Sequence, residues 1–126
     1  MKKVFASVLI TNFNKEKFLK KTLNSCKNQS FKDKEVIIFD DCSTDNSLSV
    51  IKKFKNFKLI KNKKKMFKSA PLNQIYAIDQ LVKVSRGEII FLLDSDDEYK
   101  KSKILNICKL FKKNKKLKFI QDTPID

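Results

Sequence analysis

The side chains best able to do chemistry in this sequence are carboxylates gathered in two short clusters. Seven of the 14 acidic residues lie within residues 40–45 and 94–98, although the chain carries 29 basic residues and a net charge of +15. Each cluster directly follows a short apolar run, at residues 36–39 and 89–93. Because grouped carboxylates repel one another, such clusters are typical of sites that bind a hard divalent cation together with a phosphate-bearing substrate.

The segments that must position these carboxylates alternate between two patterns. Short runs rich in β-branched and aromatic residues predict strands buried on both faces, and segments with apolar residues at helical spacing predict helices. Strands are predicted at residues 4–10, 36–39, 57–60, 89–93 and 117–121. Helices are predicted at residues 15–28, after residue 45, at 69–84 and at 102–113. This β-α-β-α-β-α-β-α-β order predicts an α/β fold, with a mostly parallel open sheet and helices on both of its faces.

The parallel arrangement would bring both acidic clusters to one edge of the sheet. Neighbouring parallel strands are about 4.8 Å apart, and open α/β folds bind ligands at the carboxyl ends of their strands. One acidic turn could then accept hydrogen bonds from a base or ribose while the other holds a metal on a diphosphate. An alternative is that Asp40, Asp41 and Asp45 cap the helix that follows them. Capping is a good explanation for Asp45. It does not account for the acids of the second cluster, Asp94 and Asp96.

Several residues are predicted to mark helix ends or helix faces. Asn14 is a predicted N-cap of the first helix and Ser69 of the third, with Pro71 in the first turn. Gly87, the only glycine, is predicted to end the third helix with a positive φ angle. The positions of the third helix that are predicted to be buried are Leu72, Ile75, Tyr76 and Leu81.

The composition argues against several other classes of protein. Three cysteines without a CxxC pair suggest neither a disulfide framework nor a zinc site, and fit a reducing, cytoplasmic setting. No apolar run approaches the roughly 18 to 20 residues that span a bilayer, so any membrane association would be peripheral, at the inner face. Arg86 is the only arginine among the basic residues, which argues against a specific nucleic-acid partner.

Four segments together resemble the amino-terminal half of family 2 glycosyltransferases, which have the GT-A fold. They read SVLITNFN at residues 7–14, NQSF at 28–31, VIIFDDCSTDNS at 36–47 and RGEIIFLLDSDD at 86–97. The resemblance implies a donor-binding half that takes a nucleotide-diphosphate sugar, a UDP-sugar by preference, with Mg²⁺ or Mn²⁺. It also implies inverting sugar transfer to a glycan or lipid-linked acceptor, in polysaccharide or cell-envelope glycan synthesis.

The same resemblance assigns roles to individual positions. The residues it implies for donor binding are Thr11, Asn14, Asp40, Asp41, Ser69, Asn73 and Asp94. Asp41 would pair with the base, and Asp94 and Asp96 match the DxD pair that holds the ribose and the metal. Cys42 stands where the family usually has a glycine, and residues 66–68 replace the glycines usual before the serine. Bulk at these two turns is expected to narrow the nucleotide pocket.

No catalytic residue is predicted within the chain. An inverting transfer needs a base that deprotonates the acceptor hydroxyl, and the chain has no histidine. In the family this base is an acid of the second half, and Asp122 and Asp126 stand too close to the end to be assigned the role. We therefore expect residues 1–126 to be a single donor-binding domain that is truncated at its C-terminus.

Two other functions would use the same fold. A non-catalytic module could keep the fold and bind a partner or an anionic membrane surface through its lysines. A nucleotidyltransferase of similar sheet architecture would need a glycine-rich basic loop after the first strand, and residues 11–14 do not form one.

Overall fold

Strands and helices alternate along the chain. The computed structural model describes residues 4–121, so Asp122 and Asp126 lie outside the described part. The elements are β1 (Val4–Asn12), α1 (Glu16–Lys27), β2 (Lys34–Asp40), α2 (Ser47–Lys52), β3 (Lys58–Lys61), α3 (Ala70–Val84), β4 (Gly87–Asp94) and α4 (Lys103–Lys113). All pairs of neighbouring strands are parallel, in the order β3-β2-β1-β4. The predicted α/β fold with a parallel open sheet is confirmed.

Helices cover both faces of this sheet. Successive residues of a strand point to opposite faces, so β1 and β2 each contribute to two apolar layers. On one face, the strands pack against Leu19 of α1, Ile51 of α2 and Ile104 of α4. On the other face, Leu9 and Ile37 and their neighbours pack against α3. The predicted placement of helices on both faces is therefore confirmed, and the described part of the chain has three helices on one face and one on the other.

Strand β4 is buried on one face only, and the prediction that it is buried on both was wrong. Within residues 4–121 it pairs with β1 alone and forms an edge of the sheet. Phe91 and its alternate neighbours are buried, whereas Ile90 and Leu92 are 40% and 54% exposed. The second face is open because the apolar cluster beneath α3 contains residues of β1 and β2 but, among the described residues, none of β4.

The predicted fifth strand at residues 117–121 is not formed. The segment has no regular secondary structure, and Phe119 is 74% exposed. A β-strand is stable only when its backbone groups pair with those of a neighbour. This segment has no strand neighbour in the described chain, so its apolar residues alone do not make it a strand.

Gly87 serves close packing between two strands rather than ending a helix. Its φ angle is not positive, which contradicts the prediction of a left-handed cap. A Cβ atom at this position would lie 2.5 Å from both the backbone nitrogen and the Oγ of Ser7. The absence of a side chain lets the Gly87 N–H donate to Ser7 Oγ at 2.8 Å, which fixes the start of β4 against β1.

The buried face of α3 differs in part from the prediction, which is confirmed for Leu81. Asn73, Ala77 and Leu81 are buried, and their spacing of four residues places them on one side of the helix. Leu72 and Ile75 are 48% and 64% exposed, so their predicted burial was wrong. Small and polar side chains at 73 and 77 let α3 lie close to the sheet, which a count of apolar residues does not reveal.

None of the helices within residues 4–121 has the length and apolar character needed to cross a membrane. The longest, α3, has 15 residues. A membrane-spanning helix needs about 20, nearly all of them apolar.

Candidate functional site

A cleft with a volume of about 320 Å³ opens at the carboxyl edge of the sheet. Five of the sequence-predicted site residues line it, namely Thr11, Asp41, Asn73, Asp94 and Asp96. They meet there because the strands are parallel and in register, with Thr11 of β1 paired to Phe39 on one side and to Asp94 on the other. The other predicted residues, Asn14, Asp40 and Ser69, are not among the side chains that line the cleft.

The two neighbouring acids after β2 have different surroundings. Asp40 is 2% exposed, and its Oδ1 accepts hydrogen bonds from Asn12 Nδ2 at 2.8 Å and Ser43 Oγ at 2.7 Å. Its other oxygen accepts the Ser43 N–H at 3.1 Å. Asp41 faces the cleft, where its Oδ1 accepts from Asn62 Nδ2 at 2.9 Å. Asp40 therefore fixes the shape of the turn, whereas Asp41 presents a carboxylate to the cleft.

Cys42 takes the backbone conformation for which glycine is best suited. Its φ angle is 63°, in the left-handed region that L-residues rarely occupy. The Sγ atom lies 3.3 Å from the carbonyl oxygen of Asn62 and is not among the atoms lining the cleft. The cysteine thus adopts the turn that a glycine would make, with its side chain directed towards residue 62.

Asn14 joins two turns rather than capping α1, so its prediction as an N-cap was wrong. Its φ angle is 52°, and α1 begins with Lys15 at the cap position and no side-chain cap bond there. Asn14 Oδ1 accepts the backbone N–H groups of Thr44 at 2.7 Å and Asp45 at 3.2 Å. These bonds hold the loop after β1 against the loop after β2.

Asp45 accepts hydrogen bonds from helix starts, as the alternative interpretation predicted for this residue, although the N-cap position of α2 is Asn46. One carboxylate oxygen accepts the N–H of Ser47 at 2.9 Å in the first turn of α2. The other accepts the N–H of Glu16 at 3.1 Å, at the start of α1. A single carboxylate therefore satisfies donors at two helix starts that are far apart in sequence.

Ser69 and Asn73 secure the lysine-rich loop that precedes α3. Ser69 Oγ accepts the Leu72 N–H at 3.4 Å, which confirms its predicted capping role. The Asn73 amide forms two hydrogen bonds with the backbone of Phe67, accepting its N–H and donating to its carbonyl, both at 2.9 Å. Asn73 thereby fixes the loop that forms one wall of the cleft.

The acidic turn after β4 offers three carboxylates in close proximity. Oxygen atoms of Asp94, Asp96 and Asp97 lie within 4.8 Å of one another, and all three residues are exposed. The turn is held from below by α1, where Thr22 Oγ1 donates to the carbonyl of Ser95 at 2.8 Å. Three hard oxygen donors at this spacing fit Mg²⁺ or Mn²⁺, which prefer carboxylate ligands.

The electrostatics of this turn favour a bound cation. Partial burial of its carboxyl group raises the pKa of Asp94 above its usual value, and the negative charges of Asp96 and Asp97 raise it further. Hydrogen bonding by Gln74, whose Nε2 donates to Asp94 Oδ1 at 3.2 Å, acts in the opposite direction. A cation placed among the three carboxylates would relieve the repulsion that raises this pKa.

Sequence reasoning missed several other side chains that line the cleft, among them Phe13, Lys15, Lys65 and Gln74. Lys15 Nζ lies 3.7 Å from Asp96 Oδ2, and Lys65 Nζ lies 3.7 Å from Asp41 Oδ2. Lys65 also lies 3.2 Å from the centre of the Phe13 ring. Phe13 and Lys15 could have been found from their place in and beside the SVLITNFN segment, but nothing local distinguishes Lys65 from its many lysine neighbours.

Comparison with known proteins identifies relatives over nearly the whole chain. The profile of the family described as Glycosyl transferase family 2 matches residues 7–124. Poly(ribitol-phosphate) beta-N-acetylglucosaminyltransferase TarP of Staphylococcus aureus is 42% identical over 101 residues, covering 77% of this chain and 29% of TarP. UDP-Glc:alpha-D-GlcNAc-diphosphoundecaprenol beta-1,3-glucosyltransferase WfaP of Escherichia coli is 34% identical over 100 residues, covering 79% of this chain and 38% of WfaP.

A solved structure of a related enzyme has the same fold. The crystal structure of residues 1–349 of S. aureus TarS matches with a TM-score of 0.78 at 27% identity, covering 86% of this chain and 32% of that one. The same protein has been crystallised with UDP and with UDP-GlcNAc. The present chain spans about a third of the length of the curated relatives it matches. With a family profile that extends across residues 7–124, the chain belongs to glycosyl transferase family 2.

Proposed function

We propose that this chain is the donor-binding part of an inverting glycosyltransferase, and that it binds a UDP-sugar together with Mg²⁺ or Mn²⁺. The observation that carries the proposal is the single cleft shared by Asp41 and by the Asp94–Asp96 pair. Phe13 and Asp41 offer an aromatic face and a hydrogen-bond acceptor, which suit a base. The carboxylates on the opposite side suit the metal that accompanies a diphosphate.

Each group in the cleft has a distinct task in this proposal. Asp41 accepts a hydrogen bond from the base, while Asp94 and Asp96 hold the cation. When bound, the cation neutralises the negative charge that develops on the departing diphosphate. Asn14, Asp40 and Ser69 act through the backbone turns that they fix, and they orient these groups without lining the cleft. No catalytic base is assigned to this chain.

The relatives support the choice of donor and acceptor. TarS has been crystallised with UDP and UDP-GlcNAc, and TarP is named as an N-acetylglucosaminyltransferase that acts on poly(ribitol-phosphate). WfaP is named for a diphosphoundecaprenol-linked acceptor. We therefore propose a UDP-sugar donor and a glycan or lipid-linked acceptor of the cell envelope, with the reaction taking place in the cytoplasm or at the inner face of the membrane.

Titration calorimetry with UDP tests the proposed function. We expect the chain to bind UDP at least about 100-fold more tightly with Mn²⁺ than with EDTA, because the cation links the diphosphate to the carboxylates. ADP serves as the control for base recognition and is expected to bind more weakly. An absence of UDP binding in the presence of Mn²⁺ would contradict the proposal.

A second candidate function, a non-catalytic module that binds an anionic membrane surface, is favoured by the uneven distribution of charge. Helix α1 carries four lysines and one acid, and α4 carries four lysines and no acid, on the same face of the sheet. On the opposite face, α3 has only Lys83, which pairs with Asp79 at 3.0 Å. The three-helix face therefore has the charge that anionic head groups attract.

Vesicle flotation separates this candidate from a general effect of net charge. The test variant changes Lys17, Lys20 and Lys21 of α1 to glutamine, and the control changes Lys63, Lys64 and Lys68 of the loop. If the three-helix face binds, the α1 variant should lose about 100-fold in affinity for vesicles containing phosphatidylglycerol, at about 1 kcal/mol per lysine. The loop variant should lose much less. Equal losses, or no binding by the unmodified chain, would contradict the candidate.

A further inference from the structure

Lys15 lies beside the carboxylates that are proposed to hold the metal. It occupies the position directly before α1, and its Nζ is 3.7 Å from Asp96 Oδ2. Its side chain is 46% exposed and that of Asp96 is 43% exposed, so both remain open to the cleft that they line. A cation of the protein itself is thus placed where a divalent cation would bind.

The ion pair between Lys15 and Asp96 is easily exchanged. Exposed pairs of this kind contribute little stability, because water screens the charges and the long lysine side chain loses freedom. A divalent cation on Asp96 would compete with the ammonium group for the same oxygen and repel it. The flexible four-carbon stem of lysine allows the ammonium group to move away while its backbone stays in place.

A diphosphate would be the binding partner of the Lys15 ammonium group once that group has left Asp96. Lys15 and Lys65 are the cationic side chains among the residues that line the cleft. Lys65 lies on the opposite side, against Asp41 and the ring of Phe13, where the base is proposed to bind. Lys15 is therefore the lysine on the side of the metal, and a diphosphate held by that metal would lie within reach of its side chain.

We infer that Lys15 is a diphosphate-binding residue that leaves Asp96 for the diphosphate when the divalent cation binds. This inference rests on the proposed function and adds to it a residue that discriminates between UDP and uridine. It also implies that the ligand-free site is partly neutralised by Lys15. Removing the ammonium group should therefore have opposite effects on two affinities, that for the metal alone and that for UDP with the metal.

Calorimetry on the Lys15→Met variant tests this exchange, since methionine keeps much of the side-chain length without the charge. Affinity for Mn²⁺ alone should rise by up to about fivefold, because a weak competitor is lost. Affinity for UDP in saturating Mn²⁺ should fall at least about tenfold, because a hydrogen bond from a charged donor is lost. Affinity for uridine should not change. Lys15→Arg should recover most of the affinity for UDP.

The control variant is Lys17→Met, which removes the same charge from an exposed position of α1 outside the cleft. If both variants bind UDP equally well, or if Mn²⁺ binds Lys15→Met more weakly than the unmodified chain, the inference about Lys15 is overturned while the proposed function stands. If the unmodified chain does not bind UDP, the proposed function fails and this inference fails with it.

Discussion

Replacing Glu35 with glutamine is expected to lower the free energy of unfolding by about 3 kcal/mol. The Glu35 side chain is only 4% exposed and accepts four hydrogen bonds, from Ser7 Oγ and Arg86 N at 2.6 Å and from Lys58 Nζ and Arg86 Nε at 3.2 Å. All four partners are donors, so the amide group of glutamine would turn its own N–H groups towards other donors. The site lies at the start of β2, away from the cleft, so the loss concerns folding rather than ligand binding.

The pKa of Glu35 gives the size of this effect. Burial alone would raise it, but the hydrogen bonds donated by Ser7, the Arg86 backbone, Lys58 and the Arg86 side chain outweigh burial and lower the pKa from 4.5 to about 2. A shift of this size corresponds to about 3 kcal/mol, at 1.36 kcal/mol per pKa unit. Because the folded-state pKa is lowered, the stabilisation is present above pH 4.5 and is lost as the pH falls towards 2.

Urea unfolding followed by circular dichroism, at pH 7 and at pH 3, measures the effect. The difference in stability between the unmodified chain and Glu35→Gln should fall to about half at pH 3. Glu88→Gln is the matched control, since Glu88 is exposed at the start of β4 and should change stability by less than about 0.5 kcal/mol. A pH-independent difference, or an equal loss in the control, would show that Glu35 does not stabilise the fold through its charge.

The parts of the fold that could be predicted depend on local sequence. Apolar runs and helical spacing predicted β1, β2, β4 and the helices between them. The spacing of apolar residues within a segment indicates whether it forms a strand or a helix and which face is buried. The exposure of Ile90 and Leu92 could not be predicted, since it depends on whether another element covers β4. The strand predicted at residues 117–121 was wrong for the same reason, because a strand requires a neighbouring strand that its own sequence does not specify.

The candidate site, like the fold, could be predicted only where local sequence determines it. The convergence of Asp41 and Asp94 at one edge follows from parallel strands that end in acids. The difference between Asp40 and Asp41 could not be foreseen, because it depends on which carboxylate meets Asn12 and Ser43 in the folded turn. Lys65 could not be identified from the sequence, because a single lysine beside a carboxylate carries no local signal in a chain rich in lysine.

Replacing Asp94 and Asp96 together with asparagine should reduce the affinity for UDP in Mn²⁺ at least about 100-fold, to the level seen without metal. Asparagine keeps the size of the side chain and one carbonyl oxygen, but it removes the two charges proposed to hold the cation, whose contribution is several kcal/mol. The measurement is the same UDP titration in Mn²⁺ and in EDTA. Uridine affinity should be unaffected, because the base is proposed to bind at Asp41.

The same variant should fold at least as well as the unmodified chain, and this separates a binding role from a structural one. A carboxyl group whose pKa is raised in the folded state, as that of Asp94 is, destabilises that state at neutral pH. Relieving the repulsion should therefore maintain or raise the Tm. The control variant, Asp33→Asn with Glu98→Gln, removes two charges at exposed positions outside the cleft and should bind UDP normally. Unchanged UDP affinity in Asp94→Asn/Asp96→Asn would exclude this pair as the metal ligands, whereas a lower Tm would show that the two carboxylates serve the turn itself.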